Sequence, residues 1–99
     1  PMTIQELSHF HVKYAFLGTD GLSIDRGLTT DSIEAAQVSR TMAEQADTVV
    51  VVTDSAKFGR NGFTTIMPLS EVDLLISETD LDGENREEIR SLGIEVVLV

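Results

Sequence analysis

Cysteine is absent from the 99 residues. No disulfide framework and no thiolate chemistry is available, which fits a reducing compartment. Cations are scarce: 7 Lys and Arg stand against 17 Asp and Glu, a formal charge of −10. Phosphate contacts need clustered Lys and Arg, so this chain is not expected to grip a nucleic-acid backbone by itself. It is equally unsuited to an anionic membrane surface. No apolar run approaches the ~20 residues of a spanning helix, and the first residues carry no secretory signal pattern. Aromatics make up only 5%. What remains, 41% hydrophobic and 24% charged residues, is a globular mixture. The length suits one domain or part of one. The expectation is a soluble cytoplasmic α/β domain.

Four short apolar runs stand out: Tyr14–Leu17, Val49–Val52, Asp73–Ile76 and Ile94–Val99. Continuous rather than alternating apolar character predicts strands buried on both faces of a parallel sheet. Two helices are predicted between them. The first spans about Asp31 to Ala46, with Asp31 as N-cap and Glu34 three residues on, as in a capping box. Its apolar stripe is Ala35, Val38, Met42 and Ala46. The second spans about Glu84 to Leu92 and stops at Gly93. A third helical piece is expected over Ile4 to Phe10. The order is strand, helix, strand, loop, strand, helix, strand. It predicts an α/β fold, a parallel sheet with crossover helices. The stretch Thr53 to Val72 contains Asn61-Gly62 and Pro68 and reads as an irregular, functional connection. Four such strands need cover on both faces, and these helices supply little. A missing N-terminal piece, or another subunit, is therefore expected over the sheet.

Ligands of open parallel sheets bind beyond the carboxyl ends of the strands. Three polar clusters fall there: Gly18-Thr19-Asp20-Gly21, Asp54-Ser55-Ala56-Lys57 and Ser77-Glu78-Thr79-Asp80. The glycines can turn the backbone and offer N–H groups to an anion, with Asp20 accepting from hydroxyls. A tight βα turn that needs the glycines only for positive φ explains the same residues. Asp54 and Lys57, three apart, can lie side by side, Lys57 neutralising a phosphate or carboxylate. A local ion pair and helix cap is the competing explanation. Gly59-Arg60-Asn61-Gly62 reads as a solvated turn and Thr29-Thr30 as the entry to a capped helix. Asp80–Glu88 reads as solvated helix surface, and His9 with His11 as a surface pair. No zinc spacing and no Ser-His-Asp set in convincing context are present, so neither a metal nor a cofactor is expected.

Taken together these residues resemble a family. Ala15-Phe16-Leu17-Gly18-Thr19-Asp20-Gly21-Leu22-Ser23 is similar to the F-x-G-x-x-G-ϕ-S stretch of DeoR-type sugar-responsive transcription regulators. Gly27-Leu28-Thr29-Thr30 follows at the expected place, and Glu34–Met42 resembles the family's next helix. Thr53-Asp54-Ser55-Ala56-Lys57-Phe58-Gly59 resembles its D-x-S-K-F signature, with Ala56 in the place of the serine. Pro68-Leu69-Ser70 and Leu74-Leu75-Ile76 also match.

The resemblance implies the C-terminal part of a sensor with a ribose-5-phosphate isomerase and CoA-transferase-like fold. It implies a phosphorylated sugar or related metabolite as effector, bound by Gly18, Thr19, Asp20, Gly21, Asp54 and Lys57. The family's DNA-binding helix-turn-helix and its Gly-Gly-Thr loop have no counterpart in residues 1–99, so operator DNA is expected only through a preceding domain. The implied protein is a regulator, a repressor of carbohydrate metabolism genes acting as a homo-oligomer, and not an enzyme. A sugar-phosphate isomerase of the same fold is the alternative, with Lys57, Asp20 and Asp54 in acid–base roles.

Overall fold

The computed structural model describes residues 2–99. In chain order the elements are α1 (Met2–Leu7), β1 (Val12–Leu17), β2 (Gly21–Ser23), β3 (Gly27–Thr30), α2 (Ile33–Glu44) and β4 (Ala46–Val52). They continue with β5 (Thr64–Met67), β6 (Leu74–Ser77), α3 (Gly83–Ser91) and β7 (Glu95–Leu98). The apolar runs form a four-stranded sheet in the order β1-β4-β6-β7, and all its pairs are parallel. The predicted α/β architecture with a parallel sheet is present.

A second sheet, β2-β3-β5, is antiparallel and was not expected. Thr29-Thr30, expected at the entry to a capped helix, close strand β3 and lead through Asp31 and Ser32 into α2, and the connection Thr53 to Val72, expected to be irregular, contains β5. The turn after β1 accordingly leads into a strand and not into a helix. These strands are three or four residues long, too short to show a period of their own. They pack Leu22, Leu28, Ile66 and Met67 into the core opposite Leu17, Val51 and Leu75 of the parallel sheet.

The helices differ from expectation at their ends. Ser32, not Asp31, caps α2: its hydroxyl accepts from the Ala35 N–H at 3.1 Å. Asp31 is engaged elsewhere, accepting from the Phe63 N–H at 3.0 Å. The helix ends before Ala46, which already belongs to β4. Its buried residues are Ala36 and Thr41. Val38 and Met42 are half-buried and Ala35 is exposed, so the contact stripe is rotated by one residue. In α1 the helix stops at Leu7 rather than Phe10, where the Ser8 hydroxyl donates to the Gln5 carbonyl at 2.7 Å. The third helix starts one residue early, capped by the Asp82 carboxylate on the Asn85 N–H at 3.3 Å. Gly93 takes φ 88° just after it ends, the left-handed position that favours glycine.

Burial on both faces does not hold for the whole sheet. One face of β1 and β4 contributes Ala15, Leu17, Val49 and Val51 to the core. On the other face Tyr14 is 53% and Phe16 61% exposed, and Val12, Val52 and Val97 are exposed beside them. Val50, flanked across the sheet by Phe16 and Leu74, is the buried member of this face. No helix of the described residues is long and apolar enough to cross a membrane.

Candidate functional site

The carboxyl ends of β1, β4 and β6 bring the three polar clusters to one rim. The first loop is held by its own threonine. Thr19 Oγ1 donates toward the carbonyls of Gly21 at 2.7 Å and Thr29 at 2.9 Å, so its proton is used inside the fold. The Asp20 N–H donates to the Thr29 carbonyl at 3.0 Å. Asp20 Oδ2 then accepts from the Thr30 hydroxyl at 2.6 Å. That bond is the main reason the Asp20 carboxyl lies below its ordinary range. The Asp31 backbone N–H lowers it further, burial opposes, and the Lys57 ammonium adds the smallest lowering effect. A carboxylate held ionised is suited to accepting hydrogen bonds and poorly suited to taking protons near neutrality.

The glycines of this loop are not there for positive φ, which occurs at Gly27, Gly59 and Gly93. Gly21 is required by close approach: a Cβ there would strike the Arg60 carbonyl oxygen and lie 2.7 Å from Thr29 Oγ1. Gly18 is exposed, with nothing within 4 Å of a Cβ.

The second loop makes a 3₁₀ turn over Ser55–Lys57, with Asp54 at the N-cap position. Asp54 makes no side-chain capping bond. Its Oδ2 lies 4.0 Å from Lys57 Nζ, and the two side chains are 54% and 31% exposed. The predicted proximity is present as a loose ion pair, and the predicted cap is not. The capping role falls to Glu78 after β6, whose Oε1 accepts from the Ser55 N–H at 2.9 Å and the Ser55 hydroxyl at 3.0 Å. Glu78 stood in the third polar cluster without a role; its partner is 23 residues away and meets it through the β4–β6 pairing. Asp54 and Glu78 also line a cleft of about 200 Å3 whose apolar walls are Val52, Ile76 and Val99.

The turn at residues 59–62 is exposed at Gly59, Arg60 and Asn61, as expected, and it is also stitched across β2 and β3. The Gly59 N–H donates to the Leu22 carbonyl at 2.9 Å, Ser23 Oγ to Asn61 Oδ1 at 2.9 Å, and the Gly62 N–H to Thr29 Oγ1 at 2.8 Å. The rim thus holds Asp54 with Lys57 after β4 and Asp20 after β1. Such a set can accept hydrogen bonds from hydroxyls and balance an anion.

A larger cavity of about 320 Å3 lies elsewhere, lined by Leu7, Phe10, Tyr14, Phe16 and Met42 among others. Its apolar walls do not suit a charged metabolite. Among the described residues no cluster of three His, Cys, Asp or Glu could hold a metal. His11 Nε2 pairs with Asp47 Oδ1 at 2.8 Å on the surface.

Comparison with known proteins gives a consistent result. The family profile "DeoR C terminal sensor domain" matches residues 1–79. The HTH-type transcriptional regulator GlpR of Haloferax volcanii is 44% identical over 82 residues, covering 83% of this chain and 32% of that protein. The HTH-type transcriptional repressor GlcR of Bacillus subtilis is 37% identical over 75 residues, 76% of this chain and 29% of the repressor. The glycerol-3-phosphate regulon repressor of Escherichia coli K12 is 28% identical over 76 residues, 77% of this chain and 30% of the repressor. The chain spans about a third of the length of the curated relatives it matches.

Proposed function

The chain belongs to the DeoR C terminal sensor domain family, and from that premise we propose that it is the effector-binding part of a DNA-binding transcription regulator. The regulator is a repressor of carbohydrate metabolism genes, acting in the cytoplasm as a homo-oligomer. Residues 1–99 form the C-terminal portion of its sensor. The exposed face of the parallel sheet is covered by the preceding part of that sensor, and a helix-turn-helix domain further upstream contacts the operator. The effector is a phosphorylated sugar or related metabolite. It binds at the rim through Gly18, Thr19, Asp20, Gly21, Asp54 and Lys57.

One observation carries this reading: Asp20 and Asp54 stand with Lys57 at the carboxyl ends of adjacent parallel strands. The carboxylates accept from sugar hydroxyls and the ammonium balances the phosphate. The apolar walls of the cleft beside Asp54 offer a surface for the C–H face of a sugar ring. Thr19 acts through the loop it braces, since its proton is used on backbone carbonyls. Effector binding at the rim shifts the DNA affinity of the attached domain through a coupling free energy of typically 1–3 kcal/mol. The regulator names of the relatives support a sensor over an isomerase. So does the lowered Asp20 carboxyl, opposite in direction to a base tuned toward neutrality.

The experiment is a thermal-shift screen of phosphorylated sugars on the full-length protein, followed by release from operator DNA. A sugar phosphate that stabilises the protein and changes operator affinity is the expected result. Stabilisation only by unphosphorylated ligands, or catalytic turnover of the bound sugar phosphate, overturns the proposal.

A further inference from the structure

We propose that Glu78 is the positioning residue of the Asp54–Lys57 turn, holding it for an anionic ligand; this rests on the rim reading above. The N-terminus of a 3₁₀ turn leaves backbone donors unsatisfied, and an acid in the N-cap position ordinarily folds back onto them. Asp54 occupies that position and does not. Glu78 reaches across from the end of β6 and takes both the Ser55 N–H and the Ser55 hydroxyl on a single oxygen. Asp54 makes no capping bond, and its carboxylate lines the cleft beside Lys57. The turn that carries Lys57 is tied to a second strand end, so its orientation is set by the β4–β6 register rather than by a flexible loop. Glu78 also accepts through its backbone carbonyl from the Leu81 N–H at 3.0 Å, which links the turn to the approach of α3.

Charge and geometry act in opposite directions here, and that separates them. Glu78 is an anion near a site for an anion, so removing its charge alone should favour an anionic ligand. Removing its hydrogen-bond acceptor should disfavour it, because Lys57 loses its fixed position. Glu78→Gln removes the charge and keeps an acceptor oxygen; Glu78→Ala removes both.

The test uses the full-length protein and inorganic phosphate as probe, with melting temperatures and the exchange rate of the Ser55 amide measured alongside. Glu78→Ala should weaken phosphate binding about tenfold, the loss of one charge-assisted contact, and should speed Ser55 amide exchange. Glu78→Gln should bind phosphate as well as the parent or better, with Ser55 exchange close to that of the parent. Added to Lys57→Ala, Glu78→Ala should cost little further, because both changes act on one contact. The proposal is overturned if Gln and Ala lose equally, if both variants gain, or if the Lys57 and Glu78 effects simply add. Unchanged Ser55 exchange in Glu78→Ala overturns it whatever the probe does. If Lys57→Ala leaves phosphate binding unchanged, the rim reading itself fails, and the exchange measurement still judges the role of Glu78.

Discussion

At the scale of single residues the rim separates the proposed ligand contacts from bracing. Lys57 makes one loose ion pair at 4.0 Å and is partly exposed, so Lys57→Ala should cost at most about 1 kcal/mol of stability. A charge-assisted hydrogen bond to a phosphate is worth roughly 1.5–3 kcal/mol, or about 10- to 150-fold in affinity. The effector response of the full-length protein should therefore fall far more than its denaturant midpoint. Asp54→Asn should act in the same direction. Effector-induced release from operator DNA, run beside a denaturant melt, separates the two quantities. If Lys57→Ala releases DNA at the wild-type effector concentration, Lys57 is structural. Asp20 is expected to show in acid. Its folded carboxyl lies below the ordinary value of 3.8, so the unfolded chain binds the proton more readily. The stabilisation is fully present above that value and is lost as pH falls through the lowered one. Urea midpoints taken from about pH 6 down to about pH 2 should fall less steeply for Asp20→Asn than for the parent. Parallel slopes would show that the Thr30 hydrogen bond does not matter to folding.

At the scale of elements, legibility follows the length and uniformity of the signal. Val49–Val52 is β-branched throughout, and a buried strand was readable there without tertiary knowledge. So was α3, with its acidic first turn and Gly93. The second sheet was not, because Gly21–Ser23, Gly27–Thr30 and Thr64–Met67 are short and mixed in polarity. They become strands only by covering the parallel sheet. The cap of α2 was ambiguous because Asp31 and Ser32 are both capping types, and the choice between them is made by the Phe63 N–H, 32 residues away. The candidate site divides the same way. The proximity of Asp54 and Lys57 was legible from their spacing, whereas the bonds that hold Asp20 to Thr29 and Thr30 come from the β3 strand that was not. The Glu78–Ser55 contact depends on strand register and has no local trace. The latch over β2 and β3 gives a contrast of two glycines. A Cβ on Gly62 would lie 2.8 Å from the Thr30 backbone, which cannot yield as a side-chain tip can. Gly62→Ala should cost roughly 1–3 kcal/mol by overpacking and free the latch. Gly18→Ala meets open space and should stay within about 0.5 kcal/mol of the parent. Equal denaturant midpoints for the two variants would count against the latch.

For the molecule as a whole, two properties oppose each other: a charge of −10 and an apolar sheet face open to solvent. The charge decides how the 99 residues meet DNA. Alone they should give no band shift with duplex DNA at physiological salt, since counterion release needs cations at the phosphates. A salt-sensitive shift would overturn that. The open face decides how they meet each other. Val12, Tyr14, Phe16, Val52 and Val97 form a contiguous apolar surface by strand register, and β1 is an edge strand whose outer hydrogen-bonding groups have no neighbour in its sheet. Exposed apolar patches and uncovered edges both promote association. Without its proposed cover the chain should therefore self-associate at micromolar concentration. Because like charges oppose that association and salt screens them, raising ionic strength should strengthen it. An ion-paired interface would respond the other way. Phe16→Glu places a further charge at the centre of the face, on a side chain already 61% exposed. It should shift the chain toward monomer while leaving its melting temperature close to the parent's. Sedimentation velocity at low and high salt measures both effects. A parent chain that stays a compact monomer with a sharp melt under all conditions would show that this face is stable in water.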